Sequence, residues 1–297
     1  MEKVKRIIPF LQREFKNRYL ENLDPKKYAD FLKREYKKRT GETLNLDNPE
    51  KFTEKMQYNK INLATPLKTK LADKYEVREW VAQTIGEEYL IPLIGVWDKY
   101  SDIPFDKLPQ KFVLKTNHGA GWNLIVKDKS KLNHQDEKKR FNRWQKMNFA
   151  FFTDLQLQYR DIEPKILAEE FIQDNQGLLP EYKFFCFDGK VYYCWEILGR
   201  GSKEYRNIYD VDWNLQPWIF EGHENTPFQT KKPKNFEKML ELAEVLSQDF
   251  SHVRVDLYNV DGKIYFGEMT FTSTGGYRLI YPEKYNYMLG NLWNLEK

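Results

Sequence analysis

The chain before Tyr89 carries apolar residues at the spacing of helices. One stretch is apolar at positions i, i+3, i+4 and i+8 and is followed by Gly41: Tyr28, Phe31, Leu32 and Tyr36. Asp24-Pro25 and Asn48-Pro49 each place a capping residue before a proline, an arrangement that begins many helices. A further helix is predicted over ADKYEVREWVAQTIG, residues 72–86, and ends at Gly86. This part of the chain is therefore predicted to be helical.

From Tyr89 onward the pattern changes to short runs rich in β-branched and aromatic residues. The runs are YLIPLIGVW, KFVLKT, WNLIVK, KILAEEFI, EYKFFCFDGKVYYCWEI, RNIYDVDW and HVRVDLYNVDGKIYFGEMT. Asp188-Gly189 and Asp261-Gly262 predict hairpin turns inside two of these runs. A helix is predicted from about Asn235 to Asp249. The order of elements predicts an α+β fold with much antiparallel sheet.

The composition narrows the classes of partner and compartment. The 297 residues include 48 Lys+Arg and 44 Asp+Glu, a formal charge of +4 that is too balanced to predict nucleic acid as the main partner. No apolar run approaches the ~20 residues that span a bilayer, and the charged first segment does not resemble a signal peptide. We therefore expect a cytoplasmic protein. Its basic, amphipathic start predicts either a solvated helix or contact with a membrane surface or partner.

The two cysteines, Cys186 and Cys194, lie in strand-like sequence without the spacing of metal ligands. We expect both to be free thiols, because disulfides are rare in the cytoplasm.

The last predicted hairpin carries three charged residues near its turn: Arg254, Asp256 and Glu268. Side chains alternate along a strand, so Arg254 is expected to share a face with Asp256. By the same rule Glu268 is expected to share a face with Ile264 and Phe266. Whether the two carboxylates meet depends on how the turn pairs the two strands.

Two turn lengths give opposite answers for this hairpin. A two-residue turn pairs Val260 with Lys263 and sends the two carboxylates to opposite faces. A three-residue loop pairs Asn259 with Lys263 and Arg254 with Glu268, which brings all three charges to one face. Asn259, which can open a type I turn with glycine at its fourth position, favours the second arrangement. Two carboxylates on one face would suit Mg²⁺, although a solvated hairpin stays the alternative.

A second candidate element is KFVLKTNHGAGWNLIVK, in which Lys115 precedes a loop that contains Gly119 and Gly121. Small residues allow backbone N–H groups to approach phosphate oxygens, and the lysine adds positive charge. The spacing matches neither a Walker loop nor a dinucleotide fingerprint. A plain hairpin connection is the alternative. In ILAEEFI, Glu169 and Glu170 close an apolar strand and, taken alone, are typical of charges at a strand end.

Together and in this order, the elements resemble the ATP-grasp superfamily, in particular the TupA-like ATP-grasp proteins encoded with bacterial surface-polysaccharide pathways. The likeness runs from about Asp47 to Leu295 and includes FTEKMQYNKI, LADKYEVREWV, FVLKTNHGAGWN, EEFI, EYKFFCFDGKV, YDVDWN, RVDLYNVDGKIYFGEMTFTSTGG and the final LG. It implies an α+β ATP-grasp fold, with two lobes of largely antiparallel sheet that enclose ATP and an N-terminal helical region before them. The implied parts are an N-terminal helical region (1–65), a preATP-grasp-like segment (66–110), a small lobe with the glycine-rich loop (111–168) and a large lobe with the metal and acceptor site (169–297).

The resemblance also implies a set of nucleotide-binding residues. These are Lys74, Lys115, His118, Gly119, Ala120, Gly121, Glu169, Glu170, Phe171 and Lys183. Lys74 and Lys115 would hold the α and β phosphates, and the loop at 119–121 would close over the β and γ phosphates. Glu169, Glu170 and the backbone of Phe171 would form the strip that contacts adenine and ribose. Two members have alternatives: Lys183 is a phosphate contact or a surface lysine, and His118 is a γ-phosphate donor or a solvated loop residue.

The implied catalytic and metal-binding residues lie mainly in the last hairpin. Asp256 and Glu268 would ligate Mg²⁺, with Glu268 bridging two ions, and Arg254 would steady the transferring phosphoryl group. The implied catalytic set is Arg254, Lys115 and Glu268. Thr270 stands where many relatives have Asn, a stronger ligand, so coordination of the second ion is left open.

The activity that the resemblance implies is an ATP-dependent ligation. A carboxylate becomes an acyl phosphate and an amine displaces the phosphate, which yields an amide and ADP. The expected substrates are a sugar acid of a cell-surface polysaccharide precursor and an amino acid or other amine. Candidate substrate-binding residues are Ser273, Gly275 and Gly276 in FTSTGGYR and Asp212 in YDVDWN, with residues 202–234 shaping the acceptor pocket.

Three other activities stay open at this point. In a glycosyltransferase, Asp210-Val-Asp212 would hold a metal and a nucleotide-sugar diphosphate. A kinase would use the same ATP site, and a non-catalytic nucleotide sensor would not need both carboxylates of the last hairpin. Trp213, Trp218 and Tyr277 either stack on sugar rings or belong to the core.

Overall fold

The computed structural model describes residues 14–198 and 204–295. The chain divides into two units, each assembled from three separate stretches. The first unit comprises Met1–Leu32, Lys60–Val77 and Pro92–Phe171, and the second comprises Lys33–Asn59, Arg78–Ile91 and Ile172–Lys297. Most of the basic first segment lies outside the described residues. The four-part division that the sequence predicts stays a prediction.

Helices and strands follow one another in the predicted order. The helices are α1 (described over residues 14–21), α2 (Tyr28–Thr40), α3 (Phe52–Asn62), α4 (Pro66–Ala72), α5 (Val77–Thr84), α6 (His134–Gln145), α7 (Phe149–Phe152), α8 (Phe236–Ser247) and α9 (Lys284–Leu292). The strands are β1 (Leu93–Trp97), β2 (Phe112–Thr116), β3 (Asn123–Val126), β4 (Ile166–Glu170), β5 (Glu181–Phe187), β6 (Lys190–Leu198), β7 (Tyr205–Asp210), β8 (Ile219–Phe220), β9 (His252–Val260), β10 (Lys263–Thr270) and β11 (Ile280–Tyr281). The helical start and the β-rich remainder are therefore confirmed.

Each unit is built around its own antiparallel sheet. The first unit has four strands in the order β1-β4-β2-β3, and the second has five in the order β10-β9-β5-β6-β7 together with a small β8-β11 pair. Every strand pair among the described residues is antiparallel, which confirms the predicted sheet type. No helix in residues 14–198 and 204–295 is long and apolar enough to cross a membrane.

Alternating burial along the strands gives each sheet an apolar face. In β2, Phe112 and Leu114 are fully buried and pack with Phe141 of α6 in the core of the first unit. In the second unit, Phe185 and Trp195 belong to a core of large aromatic residues. The aromatic candidates for sugar stacking, Trp213, Trp218 and Tyr277, are all buried, so the core alternative holds for them. Cys186 and Cys194 are free and buried, as predicted, and burial raises the pKa of both thiols.

The predicted start of α2 is confirmed. The Asp24 carboxylate accepts a hydrogen bond from the Lys26 N–H at 3.0 Å, and Pro25 opens a short 3₁₀ turn that leads directly into the helix. Gly41 follows the helix with a positive φ of 76°, the conformation that commonly ends helices.

The predicted start at Asn48-Pro49 is wrong, because α3 begins later, at Phe52. Glu54, inside the first turn of the helix, accepts backbone hydrogen bonds from Glu50 and Lys51, each at 3.1 Å. The Glu54 side chain therefore binds the backbone N–H groups just before the helix and holds them in a non-helical conformation.

The predicted helix over residues 72–86 is broken near its start. Val77–Thr84 form α5, but residues 73–76 are a turn between α4 and α5. The Asp73 carboxylate accepts hydrogen bonds from the Tyr75 N–H at 2.7 Å and the Glu76 N–H at 3.3 Å, which competes with helix continuation. Lys74 therefore lies in a turn.

Candidate active site

The last hairpin joins β9 and β10 through a two-residue turn, so the predicted three-residue loop is wrong. Val260 pairs with Lys263 across the turn. Asp261 and Gly262 both adopt positive φ, 54° and 96°, as in a type I′ turn, whose twist matches that of the flanking strands. Asn259 still supports the turn, because its side-chain oxygen accepts a hydrogen bond from the Gly262 N–H at 2.9 Å.

The two-residue turn alone would send Asp256 and Glu268 to opposite faces, but one extra residue in β10 brings them back to the same face. Phe266 pairs with Leu257, the next pair is Glu268 with Asp256, and Gly267 is left over as a β-bulge. Opposed residues of an antiparallel ladder share a face, so Glu268 lies on the face of Asp256 and Phe266 lies on the other. The predicted shared face of Ile264, Phe266 and Glu268 is therefore wrong, whereas the two carboxylates do meet on one face.

Glycine is required at the bulge because the backbone of β9 approaches it closely. A Cβ atom at Gly267 would lie 2.9 Å from the carbonyl oxygen of Asp256 and 3.3 Å from the ring of Tyr258. Any other residue would push the two strands apart at the position where the carboxylates are aligned.

Asp256 is the centre of a buried ion cluster in the second unit. Arg254 donates to it through two parallel hydrogen bonds, Nε to Oδ1 at 2.7 Å and Nη2 to Oδ2 at 2.8 Å. The Lys183 ammonium also donates to Oδ2. Asp256 is 0% exposed and Lys183 is 7% exposed. The surface alternative for Lys183 is thus wrong, because β5 lies beside β9 and places Lys183 opposite Asp256.

Glu181 belongs to this cluster and is not among the residues that the sequence predicts. Its carboxylate accepts a hydrogen bond from the Lys183 ammonium at 2.8 Å, and both side chains are buried. The sequence could have indicated this, because Glu181 and Lys183 are residues i and i+2 of one strand and therefore share a face. Lys183 therefore lies between two carboxylates, those of Glu181 and Asp256.

Both terminal nitrogens of Arg254 also contact residues at the end of β10 or in the segment after it. Thr270, rather than Glu268, is paired with Arg254 across the ladder. Nη2 of Arg254 lies 3.1 Å from the Thr270 hydroxyl and 3.4 Å from Glu268 Oε1, and the hydroxyl donates to that oxygen at 2.7 Å. Nη1 donates to the Ser273 hydroxyl at 2.7 Å. Thr270 thus links the guanidinium to Glu268.

Burial and pairing have opposite effects on the charges in this cluster. Burial has the largest effect on Asp256 and raises the pKa of its carboxyl, although Arg254 and Lys183 both favour the ionised form. Burial opposes the charge on Arg254 as well, but the neighbouring Asp256 outweighs it and raises the guanidinium pKa above its ordinary value. The guanidinium is therefore a fixed positive charge.

The oxygen donors of the cluster suit magnesium in kind and in number. Mg²⁺ usually takes one or two carboxylates and completes its shell with waters or phosphate oxygens. In the described residues no group of three or more His, Cys, Asp or Glu is placed to hold a metal. Asp256 and Glu268 would then supply two ligands, with the Thr270 hydroxyl beside them. Hydrogen bonds from Arg254 and Lys183 occupy three of the roughly four lone-pair positions of Asp256, which leaves one on Oδ1.

Side chains of α3 hold residues 271–276, which include the segment predicted to bind the acceptor (273–276). Gln57 donates to the carbonyl oxygen of Gly275 at 2.9 Å, and Asn59 donates to that of Phe271 at 2.7 Å. Gly275 and Gly276 are buried, and the Ser273 hydroxyl faces Arg254. The acceptor role of these residues stays a prediction, and the observed role of Ser273 is to orient Arg254.

The acidic pair Asp210-Val-Asp212 lies at the end of β7 and in the turn that follows it. The Asp210 carboxylate accepts hydrogen bonds from the backbone of Asp212 at 3.1 Å and of Asn214 at 2.8 Å, and from the Gln216 side chain at 3.1 Å. Asp210 therefore stabilises the turn, and Asp212 is an exposed residue within it.

In the first unit, Lys115 and Glu169 form an ion pair across strands β2 and β4. The Lys115 ammonium lies 2.6 Å from Glu169 Oε2, and the two side chains are 16% and 6% exposed. Glu170 is exposed and Phe171, half-buried, follows the strand. The predicted phosphate-binding lysine and the predicted nucleotide-strip glutamate are therefore neighbours.

Lys74 and the glycine-rich loop are also brought together in this unit. The Lys74 ammonium donates to the carbonyl oxygen of Gly119, and its backbone N–H donates to that of Asn117 at 3.1 Å. The Asn117 side chain donates to Asp73 at 2.8 Å, which ties the start of the loop to the turn before α5. Ala120 and Gly121 form the exposed tip of the loop.

His118 is buried beneath the loop, so the solvated alternative is wrong. It is 2% exposed, and its Nε2 lies 3.2 Å from the carbonyl oxygen of Trp144. Burial, with a smaller contribution from the Lys74 charge, lowers its pKa from 6.5 to about 4. The imidazole is therefore neutral at pH 7 and is used to hold the loop against α6.

The bulge generates a test by mutation. Gly267→Ala should lower the free energy of unfolding by about 1–3 kcal/mol, because the added methyl group meets the Asp256 carbonyl. Deletion of Gly267 should cost less, because the pairs Phe266–Leu257 and Glu268–Asp256 would then follow one another regularly. Urea unfolding followed by circular dichroism measures both, with exposed Lys263→Ala as the control. A Gly267→Ala variant as stable as the control would contradict the claim that the bulge requires glycine.

The depressed pKa of His118 predicts a dependence of stability on pH. The unfolded chain takes up a proton near pH 6.5, whereas the folded chain resists until about pH 4. The stabilisation of the folded state that depends on a neutral His118 is therefore fully present above pH 6.5 and is lost as the pH falls toward 4. His118→Gln should remove on the order of 2 kcal/mol of this pH-dependent change, as measured by urea unfolding at pH 7 and pH 4.5. Identical pH profiles for the two proteins would contradict the burial of a neutral imidazole.

Comparisons with known proteins identify the family of the chain. A model of the TupA-like ATP-grasp family matches residues 54–294. Similar solved structures include D-alanine–D-alanine ligase from Bacillus anthracis complexed with ATP, at 18% identity and a TM-score of 0.43, covering 68% of this chain and 55% of the ligase. Biotin carboxylase from Campylobacter jejuni matches at 13% identity and a TM-score of 0.44, covering 79% of this chain and 46% of the carboxylase. D-cycloserine synthetase DcsG matches at 14% identity and a TM-score of 0.39, covering 76% of this chain and 72% of the synthetase.

This chain spans 55–61% of the length of the D-alanine–D-alanine ligases that it matches. A comparison with curated proteins gives no match. Because the family model covers most of the sequence, the chain belongs to the TupA-like ATP-grasp family.

Proposed function

We propose that the protein is an ATP- and Mg²⁺-dependent ligase that joins a carboxylate to an amine and releases ADP and phosphate. One observation carries the proposal: Asp256 and Glu268 are opposed on one face of the hairpin, beside a buried Arg254. Two aligned carboxylates next to a fixed guanidinium form a site for a metal-bound phosphoryl group. Family membership supports the same activity.

The proposed ligand set for magnesium is Asp256 and Glu268, with Thr270 as a neutral neighbour. When bound, Mg²⁺ would neutralise phosphate charge and orient the γ-phosphate. Lys183 and Arg254 compensate the charge of Asp256 when the cation is absent. This arrangement favours the ionised form of the carboxylate and holds it in position before the nucleotide arrives.

Arg254 has the geometry of a residue that stabilises the transferring group. Its five N–H groups include four that point toward Asp256, Ser273 and the Thr270–Glu268 pair. The second N–H of Nη1 has no partner among the described residues. That donor would bind an equatorial oxygen of the phosphoryl group as charge develops on it, at no cost in reorganisation.

Lys74, Lys115 and the glycine-rich loop would bind the polyphosphate chain of ATP. An incoming phosphate would replace Glu169 as the partner of Lys115, a charge-assisted exchange that needs little movement. Gly121 has a positive φ of 72° and no atom within 4 Å of an added Cβ, so the tip of the loop is unobstructed. The buried His118 would fix the base of the loop while the tip closes.

The proposed reaction needs no nucleophilic side chain. A substrate carboxylate oxygen attacks the γ-phosphorus, and the bond from that phosphorus to the β-γ bridging oxygen breaks, with ADP leaving. The amine then attacks the acyl carbon, the acyl phosphate C–O bond breaks, and phosphate leaves with the electron pair. The amine proton passes to phosphate or water. Exclusion of water by the loop protects the acyl phosphate from hydrolysis.

We further propose a sugar acid of a cell-surface polysaccharide precursor as the carboxylate and an amino acid or other amine as the nucleophile. The choice of substrates rests on the family resemblance. We also propose a cytoplasmic location, where ATP is abundant. Acceptor binding is assigned to Ser273, Gly275, Gly276 and Asp212. The glycosyltransferase alternative loses its main support, because Asp210 is committed to a turn.

The activity is tested by incubating the protein with ATP, Mg²⁺, uronic acids and amino acids, and by following ADP release and an amide mass by mass spectrometry. ADP and the amide together support the ligase. A phosphorylated sugar without an amide would identify a kinase instead, and UDP release from a nucleotide sugar without ATP would identify a glycosyltransferase.

Glu268→Gln separates catalysis from nucleotide binding. The variant keeps the size of the side chain but loses the charge that holds the cation, so turnover should fall by about 10² or more. The ATP dissociation constant should change by only a few fold, since Lys74 and Lys115 remain. Glu221→Gln, an exposed residue of the same unit, is the matched control. Turnover equal to that of the control would remove Glu268 from the site.

A further inference from the structure

Asn117 is a buried residue at the start of the glycine-rich loop, and the proposed function gives it no role. It directly follows β2 and is 0% exposed. Its Oδ1 accepts a hydrogen bond from the Lys165 N–H at 2.6 Å, and its Nδ2 donates to the Asp73 carboxylate and to the carbonyl oxygen of Glu163, both at 2.8 Å. Only one orientation of the amide satisfies these contacts, because one partner is a donor and two are acceptors.

The backbone of Asn117 contacts the same parts of the chain. Its N–H donates to the carbonyl oxygen of Lys165 at 3.2 Å, and its carbonyl oxygen accepts from the Lys74 N–H at 3.1 Å. Lys165 directly precedes β4, so these bonds continue the pairing of β2 with β4 beyond the Thr116–Ile166 pair. Asn117 therefore joins the turn before α5, the segment before β4 and the glycine-rich loop.

These parts of the chain carry the groups that are proposed to bind the polyphosphate of ATP. Lys74 lies in the turn, and its ammonium donates to the carbonyl oxygen of Gly119 in the loop. Lys115 lies on β2, two residues before Asn117, and pairs with Glu169 of β4. Because one polyphosphate would contact both lysines and the loop, the placement of these groups before binding affects how tightly it is held.

We propose that Asn117 is a positioning residue for nucleotide binding. Its amide fixes the turn of Lys74 against the strand of Lys115 and the base of the loop. Since Asn117 is buried, it acts through these groups and does not touch the nucleotide itself. The inference rests on the proposed function, to which it adds a residue outside the predicted binding set.

The contacts explain why an amide is needed at this position. Nδ2 gives one N–H to the carboxylate of Asp73 and the other to the carbonyl oxygen of Glu163. An aspartate of the same size would present an oxygen to both acceptors and would be repelled by them. In a buried network such an unmatched group is costly, so the turn and the loop would separate.

Exchange of two side chains tests the contact between Asn117 and Asp73. Asn117→Asp should raise the dissociation constant of a non-hydrolysable ATP analogue with Mg²⁺ about tenfold or more. Asp73→Asn combined with Asn117→Asp again places an N–H opposite a carboxylate, with the roles reversed, so the double variant should bind more tightly than Asn117→Asp alone. The matched control is Asn142→Asp, at an exposed position on α6 of the same unit.

Isothermal titration calorimetry on the full chain, without a carboxylate or amine substrate, gives the dissociation constants independently of ligation. Adenosine, followed by saturation-transfer NMR, separates positioning from a general loss of structure, because it lacks the phosphates that Lys74 and Lys115 would bind. Its affinity should be unchanged in Asn117→Asp. Asn117→Ala loses the contacts without adding a charge, should weaken the analogue in the same direction, and carries the test if the aspartate variant does not fold.

Weaker binding of the analogue in Asn117→Asp, with unchanged adenosine binding and recovery in the double variant, supports the proposal. Affinity equal to that of Asn142→Asp would overturn it, as would a double variant no tighter than Asn117→Asp. Equal losses for the analogue and adenosine would show a structural role only and would also overturn it. A wild-type chain that binds neither compound would overturn the proposed nucleotide site and this inference together, whereas normal binding without ligation would overturn the proposed ligase alone.

Discussion

The carboxylate of Asp256 lies in the interior of the second unit, and its charge is tolerated only because Arg254 and Lys183 donate to both of its oxygens. A buried charge that loses its partner typically costs about 3–5 kcal/mol, so each member of this network constrains the others. Three neighbouring strands, β5, β9 and β10, supply the groups, and their register decides which groups meet. The ion cluster and the sheet therefore depend on each other.

The bulge at Gly267 is the local feature that makes this register compatible with a metal site. The type I′ turn fixes a pairing in which the two carboxylates would fall on opposite faces, and one extra residue changes the parity of the ladder beyond it. Glu268 is thereby placed beside Asp256 at the exposed edge of a buried cluster. In the proposed function, this position lets the cation and a phosphate bind while Arg254 stays fixed.

Much of the architecture could be predicted from the sequence, because periodicity reports burial. The strands, the antiparallel pairing, the α+β class and α8 follow from local pattern, and the family likeness implied the ATP-grasp fold and the roles of the candidate site residues. The register could not be predicted from the turn, since Asn259 suits either loop length. Gly267 was the missed signal, because a lone glycine within a strand pattern indicates a bulge or a close backbone approach. The burial of Lys183 and His118 depends on neighbouring strands and helices, which no local pattern contains.

The central claim is that the bulge aligns Asp256 and Glu268 so that they hold the same magnesium site. A crystal structure of the protein with Mg²⁺ and a non-hydrolysable ATP analogue tests it most directly. The account predicts oxygen atoms of both Asp256 and Glu268 at about 2.1 Å from bound magnesium, with Arg254 next to the γ-phosphate. A regular β10 with Glu268 on the face opposite Asp256, or magnesium bound without either carboxylate, would contradict it.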